Sequence, residues 1–220
     1  MGFLSELFGR KPDRLVGTLD RLLDTVDHCL IIFKEGVRNY LYADSDAFRD
    51  NLSSMASLET ESSALQREIE NMLYSRGSLV RYRGDIMRLL ERFEHIVSII
   101  SNDLIQFEIE SPNIPQELKM DFIRLSQTAS LSVETTIPAT KAYFTDPARV
   151  AELTSRVFIY EKEAVKQSQS IKRNVFHGMD TLKLSEKFHL RYFALHIEDL
   201  SRAAVKVAEQ LSVMAIKRTL

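Results

Sequence analysis

Long stretches of helical periodicity, broken by very few glycines and prolines, most constrain what this chain can fold into. Only 7 glycines and 5 prolines occur in 220 residues, which is too few for the many turns of a β fold. After Pro12, apolar residues recur every three or four positions, so they share one helix face. This stripe consists of Leu15, Leu19, Leu22, Val26, Cys29, Phe33 and Val37. The pattern predicts a chain of long amphipathic helices.

Six such segments follow one another, and short turns separate them. We expect the turns at residues 44–46, 77–78, 111–115 and 146–147, and at Gly178. Pro138 should kink or end the fourth helix, because proline lacks the amide donor and clashes with the preceding turn. The sequence therefore predicts an all-α antiparallel bundle. Its parts are an N-terminal segment over 1–11, a first three-helix bundle over 12–110 and a second over 115–220.

The two halves of the chain carry acidic residues at nearly constant offsets. Glu59 and Glu161 are 102 positions apart (161 − 59), and Glu94 and Glu198 are 104 apart (198 − 94). A difference of two residues in the intervening turn reconciles the offsets. Because any two amphipathic helices can be aligned along their apolar stripes, the acidic matches carry most of the weight. We therefore predict two tandem three-helix bundles related by approximate internal two-fold symmetry.

Composition excludes several classes of function. Lys and Arg total 29 against 31 Asp and Glu, for a net charge of -2, whereas nucleic-acid binders usually carry a basic surplus. Cys29 is the single cysteine, so the chain can form no internal disulfide, which suits a reducing compartment. No apolar run approaches the ~18 residues of a membrane span, and no glycine-rich phosphate loop or catalytic triad is evident. We expect a cytoplasmic protein that is not an enzyme and binds no nucleic acid.

Short motifs in a characteristic order resemble those of one known family. They are the Phe-Leu-Phe start and the segments 58–61 (Leu-Glu-Thr-Glu), 67–70 (Arg-Glu-Ile-Glu), 83–90 (Arg-Gly-Asp-Ile-Met-Arg-Leu-Leu) and 197–200 (Ile-Glu-Asp-Leu). Their order and spacing resemble the PhoU-like regulators of phosphate transport, especially the relatives encoded beside low-affinity Pit-type phosphate transporters. The resemblance covers nearly the whole chain. It implies a cytoplasmic accessory or regulatory protein for inorganic phosphate transport, which contacts a Pit-type transporter at the inner face of the membrane.

The same resemblance draws attention to four glutamates. The family's metal motif is an acidic residue, three residues and then Asp, on the second and third helix of each half. The first position is kept as Glu59, Glu94, Glu161 and Glu198, and the second falls on Ser63, Ser98, Val165 and Arg202. Val165 cannot coordinate a metal, and Arg202 would repel one. We expect solvated glutamates, a surface ion pair between Glu198 and Arg202 and no cofactor, with a divalent or ferric metal at the four glutamates as the alternative.

Three other features complete the interpretation. The apolar start at Phe3, Leu4, Leu7 and Phe8 either folds back on the body or contacts a membrane or partner. His95 and His196 occupy similar places in the two halves, and we expect surface histidines. Arg81, Arg83, Arg88 and Arg92 make the third helix locally basic, which is typical of a solvated face or of a surface for an acidic partner.

We also expect a homo-oligomer. The alternative functions are a metal-dependent helical-bundle enzyme and a structural oligomeric scaffold.

Overall fold

Helices make up almost all of the part of the chain that the computed structural model describes, which is residues 13–75 and 80–219. In those residues there are seven α-helices, one 3-10 turn and no strand. The helices are α1 (Asp13–Leu41), α2 (Ser45–Ser75), α3 (Val80–Glu110), α4 (Gln116–Glu134), α5 (Thr136–Thr145), α6 (Val150–Gly178) and α7 (Leu184–Thr219). The all-α prediction is confirmed. Within the described ranges, no helix is both long enough and apolar enough to cross a membrane.

Turn residues begin and end the helices much as the sequence predicts. The Oδ1 atom of Asp44 accepts a hydrogen bond from the amide of Ala47 at 3.2 Å, so Asp44 caps the N-terminus of α2. Ala43 just before it and Ser111 after α3 have φ values of 60° and 43°, the left-handed conformation that commonly ends helices. Pro147 starts the 3-10 turn, but Asp146 makes no side-chain capping bond there. The turn predicted at 77–78 lies outside the described residues.

The predicted fourth helix is two helices, and the break precedes the proline. Helix α4 ends at Glu134 and α5 begins at Thr136, while Pro138 is the third residue of α5. Proline has no amide hydrogen for the carbonyl four residues earlier, so the hydrogen-bond ladder fails at Glu134. The hydroxyl of Thr136 instead donates to the carbonyl of Val133 at 2.7 Å. Residues 13–75 and 80–219 thus contain seven helices where the sequence predicted six, and the added break follows from the proline that the sequence indicates.

One hydrophobic core runs through both halves of the chain. Helices α1, α2 and α3 pack together, as do α4, α6 and α7, and the two groups meet through α3 against α7 and α1 against α4. Aromatic rings join the groups: Phe107 of α3 lies 4.6 Å from Phe193 of α7 and 4.9 Å from Tyr40 of α1, measured between ring centroids. The arrangement agrees with two three-helix halves whose cores are continuous.

Helices α3 and α7 run antiparallel where the halves meet. Asp103, near the end of α3, lies 3.5 Å from His196, near the start of α7. Asp85, near the start of α3, lies 2.9 Å from Lys217, at the end of α7. These two contacts set the register of the pair, and they bring the predicted third and sixth helices side by side.

Candidate functional site

Glu59 and Glu94, two of the four predicted site residues, line one groove between α2 and α3. This α2–α3 groove has a volume of about 320 Å³, and Glu91, His95, Ser63 and Ser98 also line it. The hydroxyl of Ser101 donates to Oε2 of Glu59 at 2.8 Å, and the amide of Gln66 donates to Oε2 of Glu94 at 3.2 Å. Each carboxylate therefore already has one oxygen satisfied by a protein donor.

Glu198, in the second half, is not the solvated glutamate that we expected. Only 1% of its surface is exposed, and it lies on α7, which packs against α3, α4 and α6. Lys172 of α6 lies 3.3 Å from Oε2, and Arg202 pairs with Oε1. The expected surface ion pair with Arg202 is thus a pair to a buried carboxylate, and two cations offset the desolvation of Glu198. Glu161 on α6 is partly buried and has no ion-pair partner in the described part of the chain.

The side chains at these positions do not fit the metal clusters that the family resemblance implies. A metal site needs several free oxygen or nitrogen donors facing one point, yet both oxygens of Glu198 are engaged by cations. Val165 brings no donor, and Arg202 brings a positive charge that pairs with Glu198. Within residues 13–75 and 80–219, no three acidic, histidine or cysteine side chains are arranged to hold a metal ion.

A larger cleft lies between α3 and α7, where the two halves meet. This α3–α7 cleft has a volume of about 770 Å³. Positions 104 apart line its two walls, such as Arg92 with His196 (196 − 92) and His95 with Asp199 (199 − 95). The charged side chains around it are Arg88, Glu91, Arg92, Asp103, Asp199, Arg202 and Lys206. Because helices of both halves line it, the cleft lies at the interface between the two bundles.

A buried aspartate forms one end of this cleft. Only 3% of Asp103 is exposed, and its Oδ2 atom has no hydrogen-bond partner. Its Oδ1 atom lies 3.5 Å from Nδ1 of His196. Burial raises the pKa of Asp103, and the hydrogen bond to Asp103 raises the pKa of His196. The pair therefore retains a proton at pH values where an isolated histidine has lost it.

Asp103 is not among the residues that the sequence motifs single out, and His196 was expected to be a surface histidine. The signal was present, since Ile96, Ile100 and Phe107 lie on one face of α3 and position 103 falls on the same face. A carboxylate in an apolar stripe needs a partner. His196 is that partner, and its ring also stacks on Tyr192 at a centroid distance of 4.0 Å.

Cys29 adds no reactive group to either cleft. Its thiol is buried in α1, and burial is the main reason that its pKa rises to about 12. The thiolate is the nucleophilic form of cysteine, and at neutral pH this side chain is a neutral thiol that packs in the core.

Two known proteins are similar to this chain in sequence over nearly its whole length. No protein-family model matches the chain. A UPF0111 protein of Thermotoga maritima is 24% identical over 210 residues, which are 96% of this chain and 97% of that protein. A UPF0111 protein of Pyrococcus horikoshii is also 24% identical, over 212 residues that are 96% of this chain and 100% of that protein.

Two crystal structures from Shewanella oneidensis show the same helical arrangement. One is of a PhoU-like phosphate regulatory protein, with a TM-score of 0.81 and 17% identity, over 92% of this chain and 99% of that one. The other is of a PhoU-like protein, with a TM-score of 0.83 and 19% identity, over the same shares of the two chains. At these identities the agreement concerns the path of the backbone. The chain has the PhoU-like fold.

Proposed function

We propose that this protein is a cytoplasmic regulatory accessory of inorganic phosphate transport, and that it acts by contact with a Pit-type transporter at the membrane surface. The observation that carries the proposal is the match over 92% of the chain to a structure described as a PhoU-like phosphate regulatory protein. The motifs of the sequence add the resemblance to the accessory proteins of Pit-type transporters. The phosphate-uptake measurement below determines whether the protein raises or lowers transport.

The partners of the buried carboxylates favour a protein that acts by contact with another protein over one that catalyses a reaction. A general acid or base needs a carboxyl that can reach a substrate proton. Glu198 is held between Lys172 and Arg202, and Asp103 is paired with His196. These groups stabilise the interface between helices and leave little capacity for proton transfer to a substrate.

Exposed apolar side chains on long helices support a protein partner. Ile109 on α3 is 67% exposed and Ile159 on α6 is 65% exposed. Side chains of this kind become favourable contacts when another surface covers them. The same surfaces suit association with further copies of the chain, and we include a homo-oligomer in the proposal.

Two measurements test the proposed function directly. Purified protein should co-sediment with membranes that contain a Pit-type transporter and not with matched membranes that lack it. Cells without the protein should take up radiolabelled phosphate at a different rate, and its return should restore the original rate. Equal sedimentation with both membranes, together with unchanged uptake, would contradict the proposal.

The apolar start of the chain is the proposed docking element. Phe3, Leu4, Leu7 and Phe8 lie outside the described residues, directly before α1. We expect deletion of residues 2–9 to leave the helical circular dichroism signal and the unfolding midpoint nearly unchanged, while co-sedimentation with transporter membranes falls. If the deletion unfolds the bundle, or if membrane association survives it, the docking role of this segment is wrong.

We further propose that regulation needs no bound metal. The second acidic position of the family motif is occupied by Ser63, Ser98, Val165 and Arg202, and two cations engage Glu198. Protein purified without chelators should therefore contain far less than one iron, nickel or zinc per chain by elemental analysis. One metal or more per chain would favour the alternative of a metal-binding bundle.

A further inference from the structure

The α3–α7 cleft contains two arginines that form no ion pair with a carboxylate of the described residues. Arg88 and Arg92 both line it, and they lie one helical turn apart on α3. Neither forms an ion pair within the described part of the chain, and Nε of Arg92 is buried without a hydrogen-bond acceptor. Like charges four residues apart on a helix repel each other, and a buried donor without an acceptor costs free energy. The fold therefore tolerates an arrangement that a bound anion would relieve.

Lys206 on α7 brings a third cation to the cleft. It forms an ion pair with Glu209 at 3.0 Å, and both side chains of this pair are at least half exposed, so the pair is weak and exchanges readily. The carboxylates at the cleft are mostly committed, since Asp199 pairs with Arg202 at 3.2 Å and Asp103 contacts His196. Glu91 is the remaining acidic group. Arg88, Arg92 and Lys206 outnumber Glu91 among the groups left for a ligand, so the cleft favours an anion.

We propose that the α3–α7 cleft binds a phosphate group, carried by inorganic phosphate or by a small phosphate monoester. Arg88 and Arg92 would be its principal ligands and Lys206 would assist them. Guanidinium groups bind phosphate through paired N–H donors, and the side chains of Arg88 and Arg92 both line the cleft without an ion-pair partner in the described residues.

The other end of the cleft gives the ligand room beyond the phosphate. At about 770 Å³, the cleft has the size of sites that hold small organic ligands. Asn102, His196 and Asp199 line the cleft near buried Asp103 and offer hydrogen-bonding groups for the hydroxyl groups of a phosphate ester. Inorganic phosphate would occupy the arginine end alone.

Binding at this place would link a small molecule to the packing of the two halves. A ligand that contacts both α3 and α7 favours the arrangement in which the helices lie at the distance it requires. The role of the ligand as a regulatory signal rests on the proposed function. The binding itself concerns the purified protein only, so the failure of either proposal can be recognised separately.

The experiment is calorimetric titration of the full chain with inorganic phosphate and, separately, with glucose 6-phosphate, in buffers of equal ionic strength. We expect saturable binding of about one ligand per chain, with a dissociation constant at or below roughly 1 mM. Tighter binding of glucose 6-phosphate would assign the Asp103 end to the organic group, and equal binding would assign recognition to the phosphate alone. No saturation with either compound up to about 10 mM would overturn the proposal.

A charge-matched pair of variants separates the site from general electrostatics. Arg88→Ala with Arg92→Ala should weaken binding by about tenfold or more, because two charge-assisted contacts are lost. Arg67→Ala with Arg124→Ala removes the same charge from exposed positions on α2 and α4 and should change affinity by less than about twofold. Equal weakening in both pairs would refute a specific site. If the first pair fails to fold by circular dichroism, Arg88→Ala alone, at an exposed position, replaces it.

Discussion

A carboxylate in an apolar stripe destabilises a helix interface unless a neighbour offsets its desolvation, and at Asp103 that neighbour is His196. Both pKa values are raised, the first by burial and the second by the hydrogen bond. Asp199 and Glu110 also favour the protonated form of His196. The folded protein therefore binds more protons than the unfolded chain at pH values above the ordinary pKa values of 3.8 for Asp and 6.5 for His.

The sign of the resulting pH dependence follows from this proton uptake. Because the folded state holds the extra proton, the free energy of unfolding falls as pH rises through the raised pKa values, by up to about 1.4 kcal/mol per pH unit for each proton. We expect wild-type protein to lose stability as pH rises above the ordinary histidine pKa of 6.5, and Asp103→Asn to show a flatter profile. Urea denaturation at a series of pH values measures this. Asp50→Asn, at an exposed position of α2, should keep the wild-type slope, and an equal flattening there would contradict the assignment.

At the scale of single residues, the sequence pattern predicts which apolar side chains are buried. It does not predict which charged side chains are buried. All seven members of the first predicted stripe, from Leu15 to Val37, are buried. Glu198 follows a core residue just as Glu94 does, yet Glu94 is exposed and Glu198 is not. Periodicity identifies the face on which a side chain lies. It does not show how completely other helices cover that face. At Glu198 this coverage decides whether the carboxylate is solvated or buried and paired with cations.

Gly36 sets how closely α1 can approach α3. A Cβ atom at Gly36 would lie 2.7 Å from Cδ2 of Leu104, and Leu104 is fully buried. At Gly17 on the same helix, an added Cβ meets nothing within 4 Å. The two glycines therefore provide a matched pair in which only the tertiary environment differs.

Alanine at these two positions should have opposite effects. Gly17→Ala should stabilise the protein by about 0.5–1 kcal/mol, the helix-propensity difference. Gly36→Ala gains the same propensity but forces Leu104 to shift, which costs about 1–3 kcal/mol in a packed core. The comparison is the difference in free energy of unfolding between the two variants. If Gly36→Ala is as stable as Gly17→Ala, the close approach of α1 and α3 is not as tight as described.

Most helix ends were predictable, because the responsible residues act locally. Asp44 caps α2 with its own side chain, and Gly178 is the last residue of α6. Pro138 predicted a disruption but not its position, since the bond that it removes belongs to the carbonyl of Glu134. The separate helix α5 follows from that one missing hydrogen bond.

The continuous core makes the two halves dependent on each other. Phe107 of the first half packs on Phe193 of the second, and both are buried. A separated first half would expose the faces of α1 and α3 that α4 and α7 now cover. Two apolar surfaces of this size favour association or loose packing in water.

We expect a fragment of residues 12–110 to lack cooperative unfolding, while the full chain unfolds in a single transition. Circular dichroism in urea, recorded in the far and near ultraviolet, measures both. The fragment should retain helical signal, lose near-ultraviolet signal from its packed aromatic rings, and regain that signal when fragment 115–220 is added. Sharp, independent unfolding of fragment 12–110 would show that the halves are separate domains.

At the scale of the whole molecule, the number of bundles was predictable and their contact was not. The offsets of 102 and 104 residues predict equivalent halves, and the linker at 111–115 separates α3 from α4. Nothing in the periodicity states that α3 lies against α7, because their apolar faces would suit several partners. The α3–α7 cleft depends on that contact, so the sequence did not predict it.

The antiparallel register of α3 and α7 gives the molecule a direction. Equivalent positions of these two antiparallel helices line the same cleft, but Arg92 corresponds to His196 and His95 to Asp199. A partner turned end for end would find a similar backbone with unlike charges. A nearly symmetric scaffold can thus be engaged in one orientation alone, so an assembly built on it is polar even where its helices repeat.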